Sequence, residues 1–123
     1  IVRKTLWSEK AREKAEQAVT AWENQITEEA FGILLFDATE MTLEPLVCVK
    51  NASLVWERGC GSGTTALGAA LAAKKQSSLS LGLKQPGGVM HIDADWKDGC
   101  LHSLTLTVHV KIVAAGTAYL ESF

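Results

Sequence analysis

The sequence predicts an α+β domain in which an antiparallel or mixed, barrel-like β sheet wraps around one central buried helix, with an additional amphipathic helix at the N-terminus. Three observations predict this fold class. A charged helical segment comes first, short apolar segments separated by turn residues follow it, and an alanine- and glycine-rich segment interrupts them. At 123 residues, the chain has the length of one domain, residues 1–123.

The N-terminal half is predicted to contain one helix and three strands. Ser8 precedes a segment rich in Ala, Glu and Lys and acts as an N-cap. Apolar residues then recur at helical spacing as far as Glu29, opposite a charged face. Three apolar segments predict strands, the last two joined by a turn at residues 51–53: Phe31–Phe36, Pro45–Lys50 and Leu54–Glu57.

The C-terminal half is predicted to contain a buried helix followed by strands. The helix segment is apolar on every side until its two terminal lysines, which is typical of burial. Turn residues at 85–88 and 97–99 separate the segments that follow it. The predicted helix and strands are Thr64–Lys75, Leu79–Lys84, Met90–Trp96 and Cys100–Val113, the last of which is one long strand or two.

Composition and charge exclude several classes of protein. Twelve Lys and Arg against 14 Asp and Glu give a net charge of -2, which excludes a strongly cationic nucleic-acid binder and gives no reason to expect a membrane partner. The first residue is Ile1, so we expect a chain cut from a longer one. Cys48, Cys60 and Cys100 include no CxxC pair, which fits neither a disulfide framework nor a structural zinc site. We therefore expect free thiols and a cytoplasmic location.

The segment WERGCGSGTTA is the candidate reactive site of the sequence. A strand delivers Glu57 and Arg58, a glycine-rich turn presents Cys60, and a helix starts directly afterwards. The first N–H groups of a helix lack internal partners and carry partial positive charge, which stabilises a thiolate and can hold a carboxylate. Gly61 and Gly63 allow the backbone to approach a ligand closely. Glu57 and Arg58 add an acceptor and a forked donor for the ammonium and carboxylate of an amino acid.

Other residues are weaker candidates. Cys48, within an apolar strand, and Cys100, beside a hairpin turn, are expected to be inert buried thiols. His91, Asp93 and Asp95 share one strand face, where a metal site is one interpretation and a solvated polar face the favoured one. A hydrolase pair between the cysteine of the glycine-rich turn and a histidine also stays open, without a local signature that supports it.

The segment ERGCGSGTTALGAALA resembles the second catalytic-cysteine motif of the diaminopimelate epimerase superfamily. The later segment LKQPGGVMHIDADWKDG resembles the strands and Pro-Gly-Gly turn that follow this motif. The two segments are part of a resemblance that runs roughly from Leu43 to Leu120. It implies a racemase or epimerase that needs no cofactor and no metal. In such enzymes two similar domains each supply one cysteine, and the two thiols exchange the Cα proton of an amino acid from opposite faces.

The resemblance also assigns roles to residues of this sequence. Cys60 corresponds to the second-domain catalytic cysteine. The backbone amides of Gly61 and Ser62 correspond to the carboxylate-binding group, and Gly63 belongs to the same substrate-binding segment. Glu57 and Arg58 correspond to the acidic and basic residues that contact the substrate.

Departures from the family pattern refine these expectations. Cys60 follows Gly59 at once, a spacing closer to relatives that act on other amino acids, including histidine racemases, than to diaminopimelate epimerases. No first-domain cysteine motif is present. We therefore expect the C-terminal half of a two-domain protein whose N-terminal domain is missing, and we expect this half alone to be inactive. An isolated half could also form a homodimer through the surface that meets its partner.

Two alternatives stay open at this point. The first is a non-catalytic domain of the same fold that binds a small carboxylate or a partner. The second resembles the isomerases of phenazine biosynthesis, which share the fold but use an acidic residue, so that Glu57 would be the base. A Cys60→Ser variant separates the cysteine and glutamate mechanisms.

Overall fold

The computed structural model describes residues 8–121, which contain two helices and six strands. Neither described helix combines the length and the hydropathy needed to cross a bilayer. The helices are α1 (Glu9–Trp22) and α2 (Gly61–Lys75). The strands are β1 (Ala30–Asp37), β2 (Thr42–Val49), β3 (Ser53–Trp56), β4 (Leu79–Gln85), β5 (Gly88–Lys97) and β6 (Cys100–Val108).

The six strands form one mixed sheet in the order β1-β2-β4-β5-β6, with β3 beside β2. Neighbouring strands are antiparallel except for β2 and β4, which meet in parallel where Thr42 pairs with Lys84. The sheet curls into a half-barrel. The α+β class and the mixed sheet predicted from the sequence are therefore confirmed.

The two helices pack on opposite faces of this sheet. On one face, Ala15 and Val19 of α1 lie against Leu46 and Cys48 of β2, with aromatic and aliphatic residues of β1 around them. On the other face, α2 lies against a second apolar cluster. Because side chains alternate along a strand, β2 contributes to both cores. The buried members of the second cluster are Leu43, Leu83 and Ile92.

Helix α1 is fastened to the strands that lead into the glycine-rich turn. The Arg12 guanidinium contacts Glu44 Oε2 at 2.8 Å and lies 4.6 Å from the centre of the Trp56 ring. Trp56 Nε1 donates to Glu16 Oε1 at 2.6 Å. The Glu44 side chain is almost fully buried, so the ion pair is retained in a place where an unpaired carboxylate would be costly. These contacts fix Trp56, the residue immediately before Glu57.

The described α1 is shorter than predicted. Ser8 caps it as expected, since its hydroxyl accepts from the Ala11 N–H at 3.3 Å. The helix ends at Trp22 rather than Glu29. Beyond Trp22 the chain turns, because the amides of Gln25 and Ile26 both donate to the Trp22 carbonyl.

Helix α2 starts three residues earlier than predicted and is buried on one side only. Its first turn is the Gly61–Gly63 segment, which the sequence had indicated as a loop. Small residues on its other side are exposed because the half-barrel is open there within residues 8–121. The predicted burial on every side is therefore corrected for the described chain. The exposed residues on that side are Ser62, Ala66, Ala70 and Ala73.

The last strand also ends earlier than predicted. Val108 pairs with Met90 at the end of the β5–β6 ladder, and β6 stops there instead of at Val113. Residues 109–121 have no regular structure and are exposed. Since Met90 lies beside Gly59, the chain leaves the sheet at the end where α2 begins.

Replacing Gly68 of α2 by Ala is expected to lower the free energy of unfolding by about 1–2 kcal/mol. The added Cβ would lie 2.5 Å from Ile92 Cγ1, and overpacking of ~1–3 kcal/mol exceeds the ~1 kcal/mol gained in helix propensity. Urea denaturation followed by circular dichroism measures the change. Gly116→Ala is the control, because nothing lies within 4 Å of its added Cβ. A Gly68→Ala variant as stable as the parent would contradict this packing.

Candidate active site

Cys60 forms the N-cap of α2. Its backbone is extended, with φ -130° and ψ 108°, and its Sγ accepts a hydrogen bond from the Gly63 N–H at 3.3 Å. Its carbonyl accepts from the Thr64 N–H at 3.0 Å. Serine, threonine or asparagine usually supplies the acceptor at an N-cap. Here a thiol takes that place, which sets a sulfur at the positive end of the helix.

Two polar groups lie close to Cys60 Sγ at the start of α2. Besides the Gly63 amide, Ser62 Oγ lies 3.4 Å from Sγ. The helix dipole adds partial positive charge at this end. The structure therefore places together Cys60, Ser62 and Gly63, three of the residues predicted from the sequence.

Two backbone amides at the start of α2 point away from the helix without an acceptor. Within residues 8–121, the N–H groups of Gly61 and Ser62 donate to no other atom. They are the first two amides after the cap, so the helix cannot satisfy them. Adjacent free amides at a helix N-terminus form an anion-binding group. The predicted carboxylate position at Gly61 and Ser62 is therefore available next to the thiol.

Apolar residues from both edges of the sheet enclose the start of α2. A Cβ on Gly61 would lie 3.2 Å from Leu106 of β6, and one on Gly63 would lie 2.8 Å from Leu34 of β1. The glycines are thus required by close packing as much as by access for a ligand. Cys60 itself is only 7% exposed in the described chain.

Glu57 and Arg58 lie on the segment that enters this site. The Glu57 N–H donates to the Pro45 carbonyl at 2.9 Å, and the Arg58 carbonyl accepts from the Gly87 N–H at 2.5 Å. Arg58 Nη2 contacts the Pro86 carbonyl at 3.4 Å. The backbone of this pair is therefore held between β2 and the β4–β5 turn. The Arg58 side chain is exposed, and Glu57 is half-buried.

Two site residues were missed in the sequence. Gln85, at the end of β4, is 6% exposed, and its Oε1 accepts from the Cys60 N–H at 2.9 Å. Its Nε2 donates at 2.7 Å to the hydroxyl of Thr64, which is fully buried. A signal was present, because Gln85 continues the face of Leu81 and Leu83 along β4. A polar residue in phase with core residues indicates a buried hydrogen-bonding role.

The other two cysteines lie apart from the site and differ in exposure. Cys48 is buried against α1, as predicted. Cys100 is exposed at the β5–β6 hairpin, so the prediction of a buried thiol there is wrong. It lies directly after a turn whose residues Asp98 and Gly99 have positive φ, and such a tight turn leaves its neighbour at the tip of the hairpin.

No metal site forms on the polar face of β5. In the part of the chain that the structure describes, no three His, Cys, Asp or Glu residues come close enough to hold a metal ion. His91 and Asp93 are exposed. Asp95 pairs with Lys97 at 3.0 Å, and this hydrogen-bonded contact lowers the pKa of the Asp95 carboxyl. The solvated polar face is thus the interpretation that fits.

Comparison with known proteins identifies the family. Residues 1–119 match a family model described as "Histidine racemase CntK N-terminal domain". The chain is 30% identical over 92 residues to a histidine racemase of Staphylococcus aureus strain Mu50, which covers 73% of this chain and 34% of that protein. It is 37% identical over 97 residues to a histidine racemase of Fusobacterium nucleatum subsp. nucleatum. This alignment covers 74% of this chain and 32% of that protein.

The match corrects the position expected from the cysteine motif. The chain spans about a third of the length of the curated relatives it matches, which agrees with a larger protein. The matched family model describes an N-terminal domain, so the expectation of a C-terminal half with a missing N-terminal domain is wrong. The local motif lacked this information because a helix start has the same geometry wherever it lies in a protein. The chain belongs to the histidine racemase family and corresponds to its N-terminal domain.

Proposed function

We propose that this chain supplies one half of the active site of an amino-acid racemase that needs no cofactor, with Cys60 as one of two opposed acid–base groups. The observation that carries the proposal is the position of Cys60. Its Sγ is the N-cap acceptor of α2, and it lies beside two amides that have no acceptor within residues 8–121. A base and a carboxylate-binding group are thus adjacent, as removal of a proton next to a carboxylate requires.

The proposed step moves one proton. The Cys60 thiolate takes the Cα proton of the amino acid and becomes a thiol, and the electron pair of the broken C–H bond delocalises into the carboxylate. The amides of Gly61 and Ser62 hydrogen bond to that carboxylate, where negative charge increases in the transition state. Inversion is completed when a second acid delivers a proton to the opposite face of Cα.

The second acid is proposed to come from the remainder of the protein. Cys48 is buried in the core beneath α1 and Cys100 lies at the opposite end of β6 from Leu106, which packs on Gly61. Neither thiol is therefore placed to act across a substrate from Cys60. The partner of this domain in the mechanism is accordingly the remaining two thirds of the protein, facing the start of α2.

Histidine is the proposed substrate. The relatives named above are histidine racemases. The amides of Gly61 and Ser62 recognise only the carboxylate that all amino acids share. Arg58 and Glu57 lie next to Cys60 in the chain, and we propose that they contact the carboxylate and ammonium ends of the substrate. The imidazole of histidine would then be recognised by residues other than these four.

Cys60→Ser in the full-length protein is expected to reduce histidine racemisation by about 10²–10⁴-fold, because a serine hydroxyl is a far poorer acid–base group at neutral pH. Incorporation of deuterium at Cα in heavy water measures the proton exchange directly. Cys100→Ser is the matched control and should retain activity, since Cys100 is exposed at the distant hairpin. Retained exchange in Cys60→Ser would instead favour Glu57 as the base.

Gly63→Ala is expected to reduce exchange by up to about 100-fold, because the new Cβ would lie 3.2 Å from Cys60 Sγ and 2.8 Å from Leu34. A displaced nucleophile or base loses rate steeply with distance. Gly68→Ala is the control, since it strains the same helix away from the sulfur. If Gly63→Ala and Gly68→Ala are equally stable and lose the same activity, the effect of Gly63→Ala is not specific to the thiol.

The 123-residue chain alone is expected to produce no D-histidine from L-histidine, because it supplies only one of the two required acid–base groups. Chiral chromatography after prolonged incubation checks this outcome, with the full-length protein as the positive control. Steady racemisation by the isolated chain would overturn the proposal that the second acid lies elsewhere in the protein.

A further inference from the structure

We propose that Gln85 is a positioning residue for Cys60, holding the thiol in its reactive orientation through a closed ring of three hydrogen bonds. This inference rests on the proposed function of Cys60 and assigns a role to a residue of a different strand. Gln85 ends β4, 25 positions along the chain from Cys60. It contacts the backbone N–H of Cys60 and not its sulfur.

The ring has a single consistent direction. The Cys60 N–H donates to Gln85 Oε1 at 2.9 Å, Gln85 Nε2 donates to Thr64 Oγ1 at 2.7 Å, and Thr64 Oγ1 donates to the Cys60 carbonyl at 2.7 Å. A backbone N–H can only donate and a carbonyl can only accept. The amide of Gln85 must therefore face Cys60 with its oxygen. The Thr64 hydroxyl donates to the Cys60 carbonyl, which is closer than its other acceptor, Met90 Sδ at 3.6 Å.

The ring engages both backbone groups that flank the Cα of Cys60. With its N–H and its carbonyl both held, Cys60 is kept at the extended φ and ψ that place Sγ over the Gly63 amide. Gln85 is 6% exposed and Thr64 is fully buried. Water therefore does not readily replace either partner, and losing one leaves buried polar groups unpaired.

The ring also holds the helix start onto the sheet. The segment from β3 to α2 passes through Glu57, Arg58 and Gly59 without regular structure. Without Gln85, the Cys60 N–H would have no partner from the sheet. The sulfur then becomes free to shift relative to the Gly61 and Ser62 amides, although the fold itself is held by the apolar core beneath α2.

Glutamate at position 85 provides a reversible test. A neutral carboxyl has one acceptor and one donor oxygen, like the amide, so Gln85→Glu can form the ring in acid. A carboxylate only accepts, so at higher pH the Thr64 hydroxyl must turn toward it, and the hydrogen bond from this hydroxyl to the Cys60 carbonyl is lost. The buried negative charge also opposes a thiolate nearby. Gln85→Leu has a similar volume and cannot form the ring at any pH.

The experiment uses the full-length protein and two readouts. The first is the rate at which 2,2′-dithiodipyridine modifies Cys60, followed by peptide mass spectrometry from about pH 5 to about pH 8, across the range where a buried carboxyl titrates. The second is deuterium exchange at Cα of histidine. Glu57, Arg58 and Lys84 are the charged neighbours of the ring in the chain and remain unchanged in every variant.

We expect the Gln85→Glu rate, divided by the parent rate, to be close to one in acid and to fall by roughly tenfold or more as the pH rises. The Gln85→Leu ratio should be low at every pH. Exchange at Cα should follow the same pattern in kcat with a smaller change in KM. A ratio that does not change with pH in Gln85→Glu would overturn the proposal. If the substitution only damaged the fold, lowering the pH would not restore the rate of Cys60 modification.

A matched pair of threonine variants supplies an independent check that does not alter charge. Thr64→Val breaks the ring, whereas Thr65→Val removes a hydroxyl that donates to the Gly61 carbonyl at 2.8 Å outside the ring. Slower modification of Cys60 in Thr64→Val than in Thr65→Val is expected, and equal rates would contradict the ring.

The two proposals fail in different ways. If Cys60→Ser keeps its exchange activity, the role of Cys60 as an acid–base group is wrong. The other outcome is that Cys60→Ser is inactive while the Gln85 and Thr64 variants match the parent in the rate of Cys60 modification and in deuterium exchange at Cα. In that case only the positioning role of Gln85 is wrong.

Discussion

The close approach of α2 to the curled sheet is the constraint on which the rest of this domain depends. The helix is built mainly from glycine, alanine and threonine, with Leu67 as a larger residue against the core. The sheet supplies most of the volume through Leu34, Leu83, Ile92 and Leu106. Gly68 lies against Ile92 with no room for a further carbon. Small residues on the helix and large ones on the strands let the helix start sit at the edge of the core. That position provides both a dry environment and an opening to solvent.

The candidate site combines a local structural feature, the N-cap of α2, with a tertiary one, the hydrogen-bonded ring through Gln85. The local feature is the N-cap, where a thiol accepts from the third amide of the helix, and the first two amides have no acceptor within residues 8–121. It acts over a few residues and follows from helix geometry. The tertiary feature is the ring through Gln85, which fixes the backbone of the same cysteine from the neighbouring strand. The cap sets what Sγ contacts, and the ring sets where the cap lies relative to the sheet.

The position of this domain in the protein follows from the match over the whole chain and not from the cysteine motif. In the proposed mechanism Cys60 is one of two groups that act on opposite faces of one carbon, and its surroundings are a helix start and two amides without an acceptor in the described chain. A motif that encodes those surroundings carries no information about which half of a protein contains it. The overall match to an N-terminal domain model over residues 1–119 does carry that information.

The sequence by itself determined the α+β class and the approximate strands and helices. It also pointed to Cys60 and its glycine-rich neighbours as the candidate site. These features depend on hydrophobic period, turn residues and helix-end chemistry, which act over short stretches of chain. Only the tertiary structure decided that α2 starts at Gly61, that one side of it is open in the described chain, and that Gln85 and Thr64 complete the cap. Those outcomes depend on side chains that meet across 21 or 25 positions, a distance at which local patterns no longer specify partners.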